Sequence, residues 1–158
     1  MENKHINIVK EFLTEQECIN IIQTYKDGDV LDDTFVYDKI TNILSENFKF
    51  KGHHLSKLGP LKFKKYTIES KYTLKWKIKN STYFRIVVQL NDNFENGYQQ
   101  FLLDEDEKYF QVPKITGSIV FFYSNMKHRI SPVESNVKYV LESDVKLIED
   151  LNFKKTLL

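Results

Sequence analysis

Two residues in the second half of the chain, His128 and Lys138, are of types that could do chemistry. His128 is the last of four histidines, and the others, His5, His53 and His54, precede the region of strand patterns. A histidine can ligate a transition metal, and a lysine can pair with a carboxylate. Taken alone, a histidine on a loop edge and a lysine on a terminal strand are typical of ordinary surface positions. Their meaning therefore depends on the elements that position them.

The first fifty residues predict helices. Thr14 and Glu17 form a Thr-x-x-Glu capping box, and apolar residues at helical spacing run from there to Gly28. The only cysteine, Cys18, lies on the apolar side of this helix and is predicted to be a small buried hydrophobe. A second helix opens at Asp32 or Asp33, with an apolar face of Phe35, Ile40, Ile43, Leu44 and Phe48.

After the connector 51-KGHHLSKLGP-60 the pattern changes to short alternating or β-branched runs. About eight strands are predicted, at 61–69, 71–79, 83–91, 98–103, 107–112, 117–123, 127–133 and 137–147. The expected fold is α+β and mainly β, a double-stranded β-helix of jelly-roll or cupin-like type buttressed by N-terminal helices. We expect a single domain over 1–158, with the helical buttress in 1–50 and the barrel strands in 61–148.

The composition argues against several classes of function. With 23 basic and 22 acidic residues the chain has no overall field that would recruit nucleic acid. No run approaches the roughly 18 apolar residues that cross a bilayer, and the N-terminus has no signal-peptide core, so we expect a cytoplasmic protein without a membrane partner. The basic residues are almost all lysine, which indicates an AT-rich coding sequence and is compatible with a viral source.

The segment from Arg85 to Lys146 resembles the C-terminal half of the Fe(II)/2-oxoglutarate dioxygenases of the prolyl 4-hydroxylase type. The opening 8-IVKEFLTEQECINII-22 is also similar to the N-terminal helix of that family. The matching positions in the later segment are 90-LN-91, Asn96-Gly97, 113-PKITGSIVFF-122, His128, 132-PV-133 and Lys138. The resemblance implies that His128 stands at the distal iron-ligand position and that Lys138 stands at the position that binds a 2-oxoglutarate carboxylate. It also implies that Tyr66 is the family's tyrosine upstream of the iron motif.

The resemblance further implies a His-x-Asp motif on the strand before 83–91, and the sequence has none there. The strand in that place is 71-KYTLKWKIKN-80, and the two ligand positions fall on Lys75 and Lys77 or on Lys77 and Lys79, depending on the alignment. In this family two histidines and one carboxylate hold the iron, whereas ammonium groups in their place would repel it. Ordinary iron-dependent hydroxylation is therefore not expected. Gln89 also replaces a tyrosine that helps to hold 2-oxoglutarate in the family.

The strict alternation of this strand leaves two structural alternatives. If the lysines point inward, Lys77, Lys79 and Lys138 form a cationic pocket for a dicarboxylate or a phosphorylated ligand. If the strand is shifted by one residue, Trp76 and Ile78 fill the former site. Burying a large aromatic residue is favourable and burying unpaired ammonium groups is costly, which favours the plugged barrel.

Three functions remain open. The leading hypothesis is a catalytically inactive prolyl-hydroxylase-like protein without a cofactor, which acts as a binding or regulatory module on a protein partner, for example a viral protein that engages host proteins in the host cytoplasm. The second is a dioxygenase that uses Fe(II) and 2-oxoglutarate in a non-standard site. That site would combine His128 with Glu69 or Asp92, and with His53 or His54. The third is a metal-free binder of an anionic small ligand.

Overall fold

The protein is described by a computed structural model that covers residues 6–47, 53–73, 75–78, 83–103 and 108–149. Its helices are α1 (Glu15–Thr24) and α2 (Thr34–Asn47). Its strands are β1 (Ile6–Val9), β2 (His53–Leu58), β3 (Lys62–Tyr66), β4 (Tyr83–Gln89), β5 (Glu95–Asn96), β6 (Gln99–Leu102), β7 (Tyr109–Gln111), β8 (Ile119–Tyr123), β9 (His128–Ile130), β10 (Val133–Ser135) and β11 (Lys138–Glu149). The helices precede most of the strands, and the mainly β fold predicted from the sequence is confirmed.

Helix α1 begins with the predicted capping box. The Glu17 amide donates to Thr14 Oγ1 at 3.1 Å, and the Thr14 amide donates to Glu17 Oε1 at 2.9 Å. These two bonds satisfy backbone donors that an unfinished first turn would leave unpaired. Cys18 and Ile21 are buried on the inner side of the helix, as predicted for Cys18.

Helix α2 is positioned by Asp33, whose Oδ1 accepts from the Phe35 amide at 3.0 Å. Its buried face consists of Val36, Ile40 and Leu44, which recur every four residues. The prediction that Phe35 belongs to this face was wrong, since Phe35 is 55% exposed. Because α2 begins at Thr34, Val36 faces the core and the neighbouring Phe35 faces solvent. Phe48 lies outside the described residues.

Six strands form one antiparallel sheet in the order β1-β8-β4-β11-β2, with β3 also paired to β11. Smaller antiparallel sheets are formed by β7-β6-β9 and by β10-β5. The strand pattern did not predict β1 or β2, because β1 leads directly into the helical segment and β2 lies in the stretch interpreted as a connector. No helix within the described ranges is long and apolar enough to cross a bilayer.

The two faces of the large sheet have different neighbours, as β4 shows. Phe84, Ile86 and Val88 alternate toward the helices and belong to the core that includes α1 and α2. On the opposite face, Phe101 of β6 packs against Phe122 of β8, with ring centroids 4.7 Å apart. Burying each such side chain stabilises the fold by about 1.5–3 kcal/mol. The helices therefore cover one face of the large sheet, and the β7-β6-β9 sheet covers part of the other.

Two predicted strands differ in the structure. The predicted strand 127–133 divides into β9 and β10, which belong to different sheets, because Pro132 between them has no amide proton for a ladder. The predicted strand 71–79 is not formed within its described residues, apart from an isolated bridge between Lys77 and His128. That bridge leads directly to the candidate site.

Candidate functional site

Lys77 and His128 lie directly opposite each other and exchange both backbone hydrogen bonds. Each amide donates to the other residue's carbonyl at 2.9 Å. Residues paired in this way in antiparallel strands project their side chains from the same face. The position beside His128 is therefore held by a lysine.

The His128 ring is fixed by one short bond and by aromatic packing. Its Nδ1 lies 2.8 Å from the Met126 carbonyl oxygen. Because a carbonyl oxygen can only accept, Nδ1 carries a proton, and Nε2 of the neutral ring is an acceptor. The ring contacts Phe122 edge-on with centroids 5.1 Å apart, and the residue is 8% exposed.

Trp76 and Ile78 do not fill the site, and the predicted plugged barrel was wrong. Trp76 lies under the guanidinium of Arg129, whose Cζ is 4.0 Å from the ring centroid, and Ile78 is 59% exposed. Arg129 follows His128 on β9 and therefore projects from the opposite face of that strand. The predicted alternation of buried and exposed residues is not seen in 75–78, because Ile78 is exposed together with Lys75 and Lys77. The pairing places Lys77 rather than Trp76 beside His128.

An open cavity of about 240 Å³ remains next to His128. Residues from the large sheet, from the β7-β6-β9 sheet and from the stretch 71–73, together with Lys77, line it. They are Tyr66, Lys71, Tyr72, Thr73, Lys77, Arg85, Val87, Gln99, Phe122, His128, Arg129, Ile130 and Glu142. Apart from Arg129, whose guanidinium lies over Trp76, three of them are lysine or arginine and one is a carboxylate, so the lining is predominantly cationic.

The carboxylate in the lining is already bonded within the protein. The Tyr66 hydroxyl donates to Glu142 Oε1 at 2.6 Å. Burial, followed by the charge of Glu142, raises the pKa of Tyr66 well above its usual range, so the phenol remains the donor. A second pair lies nearby, where Arg85 Nε is 3.0 Å from Asp144 Oδ1.

Lys138 is 2% exposed, and among the described residues it is not part of the cavity lining. Its Nζ donates to the Gly97 carbonyl at 2.7 Å and lies 5.8 Å from the Tyr66 ring centroid and 5.9 Å from that of Phe94. Burial lowers the pKa of the ammonium to about 8, although Glu142 acts in the opposite direction. The residue expected to hold a 2-oxoglutarate carboxylate thus holds a backbone carbonyl.

The remaining ligand candidates are not brought to His128. Glu69 and Asp92 are exposed. The backbones of His53 and His54 pair with Glu149 and Ile148 on β11, six or more residues beyond Glu142, which is roughly 20 Å along a strand. Among the predicted ligand positions, Lys75 is exposed and outside the lining, and Lys79 lies outside the described residues.

The side chains around His128 do not fit an iron centre of the two-histidine, one-carboxylate type. Within the described ranges, no three His, Cys, Asp or Glu side chains are grouped to hold a metal ion. In the lining, His128 has no second histidine beside it, and the single carboxylate, Glu142, accepts from Tyr66. Lys77 instead places an ammonium beside the histidine.

Sequence reasoning missed Glu142 and Arg85. The signal for Glu142 was its alternation with Lys138 on β11, since positions 138, 140 and 142 share a face. The signal for Arg85 was a charge within the apolar run YFRIVV. Their partners, Tyr66 and Asp144, could be recognised only from the strand pairing.

A scan of the sequence against protein-family models finds no match, and a search of curated proteins finds no significant match. Solved structures do match. The viral collagen prolyl hydroxylase of Paramecium bursaria Chlorella virus-1 aligns over 90% of this chain and 90% of its own, with a TM-score of 0.66 and 15% identity. Iron-bound HygX of Streptomyces hygroscopicus aligns over 90% and 82%, with a TM-score of 0.69 and 9% identity.

A third structure is a prolyl hydroxylase from Trichoplax adhaerens in complex with a peptide fragment of the hypoxia-inducible factor oxygen degradation domain. It aligns over 98% of this chain and 87% of its own, with a TM-score of 0.64 and 14% identity. At these identities the likeness concerns the fold. The resemblance inferred from the sequence is confirmed at that level, and the chain has the double-stranded β-helix fold of the prolyl-hydroxylase-type 2-oxoglutarate oxygenases.

Proposed function

We propose that this chain is a prolyl-hydroxylase-fold protein that acts by binding rather than by iron-dependent hydroxylation. The observation that carries the proposal is the reciprocal pairing of Lys77 with His128. The histidine implied by the resemblance is present, and the residue that shares its face supplies an ammonium rather than a metal ligand.

The charge at this position opposes a metal ion. Paired residues of this kind have Cα atoms about 5.5 Å apart, so a divalent ion on His128 would lie within several ångströms of the Lys77 chain. At an effective dielectric of about 20, a unit charge and a divalent ion roughly 6 Å apart repel each other by about 5 kcal/mol. Exposure of Lys77 reduces this value, but the sign opposes metal binding.

We propose that the whole module binds a protein partner and has a regulatory role. In the Trichoplax adhaerens neighbour the same fold is in complex with a peptide fragment, which supports a protein or peptide as partner here. A viral source and a cytoplasmic location remain predictions from the sequence.

Metal loading and turnover test the proposal directly. The purified chain is incubated anaerobically with Fe(II), separated from free metal and analysed for bound iron, and succinate formation from 2-oxoglutarate is then measured in air. We expect bound iron far below one equivalent and succinate equal to that of a control without protein, with a prolyl hydroxylase of the same fold as positive control. Stoichiometric iron together with succinate release would overturn the proposal.

A further inference from the structure

The mouth of the cavity carries two lysines. Lys71 and Lys77 both line it and are exposed, and neither has a carboxylate partner in the part of the chain that the structure describes. The two arginines of the lining differ. Asp144 already lies against the guanidinium of Arg85. The guanidinium of Arg129 lies over the Trp76 ring, and its Nε donates to Gln100 Oε1 at 2.9 Å. The cations available to an incoming ligand are therefore at the mouth, beside His128.

The groups around the inner end of the cavity are bonded to the protein itself. Glu142 accepts from Tyr66 at 2.6 Å, and Lys138, outside the lining, donates to Gly97 at 2.7 Å. An anionic group that moved inward would meet the Glu142 carboxylate, and the cation in the lining there, Arg85, is already paired with Asp144. The arrangement favours one anionic group at the mouth and an uncharged body behind it.

The rest of the lining suits a small and partly polar body. Thr73 and Gln99 offer a hydroxyl and an amide, and Val87 and Ile130 offer apolar contacts. The volume of about 240 Å³ lies below the roughly 300–1,000 Å³ that is common for pockets of drug-sized ligands. The ligand is therefore limited to a small molecule.

We propose that this cavity binds a small molecule with one carboxylate or phosphate group, which Lys71 and Lys77 hold at the mouth beside His128 without a metal. The inference rests on the proposed function, because the same position in an oxygenase would serve iron. A carboxylate and a phosphate share the required chemistry, and a second carboxylate, as in 2-oxoglutarate, gains no lysine at the inner end.

The test is a binding titration in EDTA that uses inorganic phosphate, acetate and 2-oxoglutarate as separate probes, read by calorimetry and by the melting temperature. A ligand that binds only the folded state raises the melting temperature in a saturable way. We expect saturable stabilisation by phosphate or acetate, and the stronger of the two identifies the anionic group. Lys77→Gln and, independently, Lys71→Gln should weaken it at least tenfold.

Lys75→Gln is the matched control, because Lys75 is exposed on the same segment and lies outside the lining. It should leave the affinity within twofold of the original chain. Glu142→Gln keeps an acceptor for Tyr66 and removes the negative charge, so it should strengthen anion binding several-fold.

Three results would overturn the inference. The first is that no probe binds in a saturable way. The second is that Lys75→Gln and Lys77→Gln weaken anion binding equally. The third is that 2-oxoglutarate binds at least tenfold more tightly than both other probes and that this tight binding is lost in Lys138→Met. Failure of the two proposals is distinguishable. Stoichiometric iron together with succinate release by the same preparation in the absence of EDTA contradicts the proposed function, whereas absence of iron, succinate release and anion binding contradicts only this inference.

Discussion

Lys138 Nζ donates to the Gly97 carbonyl at 2.7 Å in a place that is 2% exposed, and this pair fastens β11 to the turn after β5. The cost of burying the charge appears in the pKa, which falls from 10.5 to about 8. Below pH 8 both the folded and the unfolded chain are protonated, and the fold carries the full cost. Between pH 8 and 10.5 the folded chain has fewer protons than the unfolded chain, so this residue makes the free energy of unfolding rise with pH.

Lys138→Met isolates that effect, because it removes the titrating group and keeps a side chain of similar length. We expect the free energy of unfolding of the original chain, minus that of the variant, to increase by a few kcal/mol between pH 7.5 and 10.5. Urea unfolding at several pH values measures it. A difference that stays flat over this window would show that the ammonium is not destabilised by burial.

Lys77 holds the position opposite His128, and replacing it together with Lys75 by metal ligands should create a metal site. Lys75→His combined with Lys77→Asp introduces a His-x-Asp motif whose carboxylate stands directly opposite His128. We expect the double variant to bind Ni²⁺ or Co²⁺ at least tenfold more tightly than the original chain, measured by calorimetry. The gain should disappear when His128→Ala is added; a gain that survives this third substitution would place the metal elsewhere.

The Tyr66 hydroxyl should stabilise the fold through Glu142. A hydrogen bond to a charged acceptor contributes about 1.5–3 kcal/mol, and partial exposure places this one near 2 kcal/mol. Tyr66→Phe should therefore lower the free energy of unfolding by about 2 kcal/mol at pH 7. Tyr72→Phe is the comparison, because its hydroxyl donates to the neutral Thr67 carbonyl at 2.6 Å and its loss should cost about 1 kcal/mol. Equal losses would argue against a charged Glu142.

Gly117 should tolerate no side chain. Its φ is +82°, and a Cβ there would lie 2.1 Å from the Leu13 carbonyl oxygen, whereas Gly28, with φ +92°, has no atom within 4 Å. Strain from a positive φ alone costs about 1–2 kcal/mol, so Gly28→Ala should lose about that amount. Gly117→Ala adds a backbone clash and should lose at least about 3 kcal/mol in chemical denaturation. Similar losses for both variants would mean that the Leu13 backbone moves away from the added Cβ at little energetic cost.

Trp76 lies outside the barrel core, and its truncation should be mild. A cation–π contact contributes about 0.5–2 kcal/mol, and the ring is only half-buried. Trp76→Ala should cost about 1–2 kcal/mol, compared with about 3–5 kcal/mol for Phe122→Ala, whose ring is 1% exposed. Equal losses of unfolding free energy in urea would indicate that Trp76 is buried in the barrel core.

The sequence by itself determined those features whose causes are local. The capping box of Thr14 and Glu17 satisfies its own amides within one turn, so it could be recognised without any partner. The alternation of 83–91 likewise predicted β4, because successive side chains of a strand point to opposite faces of the sheet. The order of short motifs around His128 was sufficient to predict the fold.

The tertiary structure decided which side chains meet. The sequence of 71–80 alternates equally well in either register, and the choice was made by the pairing of Lys77 with His128, a residue 51 positions away. Tyr66 and Glu142 are 76 positions apart, and Gly97 and Lys138 are 41 apart. A periodic pattern specifies the faces of a strand but not its neighbour or register, because those depend on packing between elements distant in the chain. For that reason the sequence predicted a missing iron motif, and only the fold showed an open cationic cavity in its place.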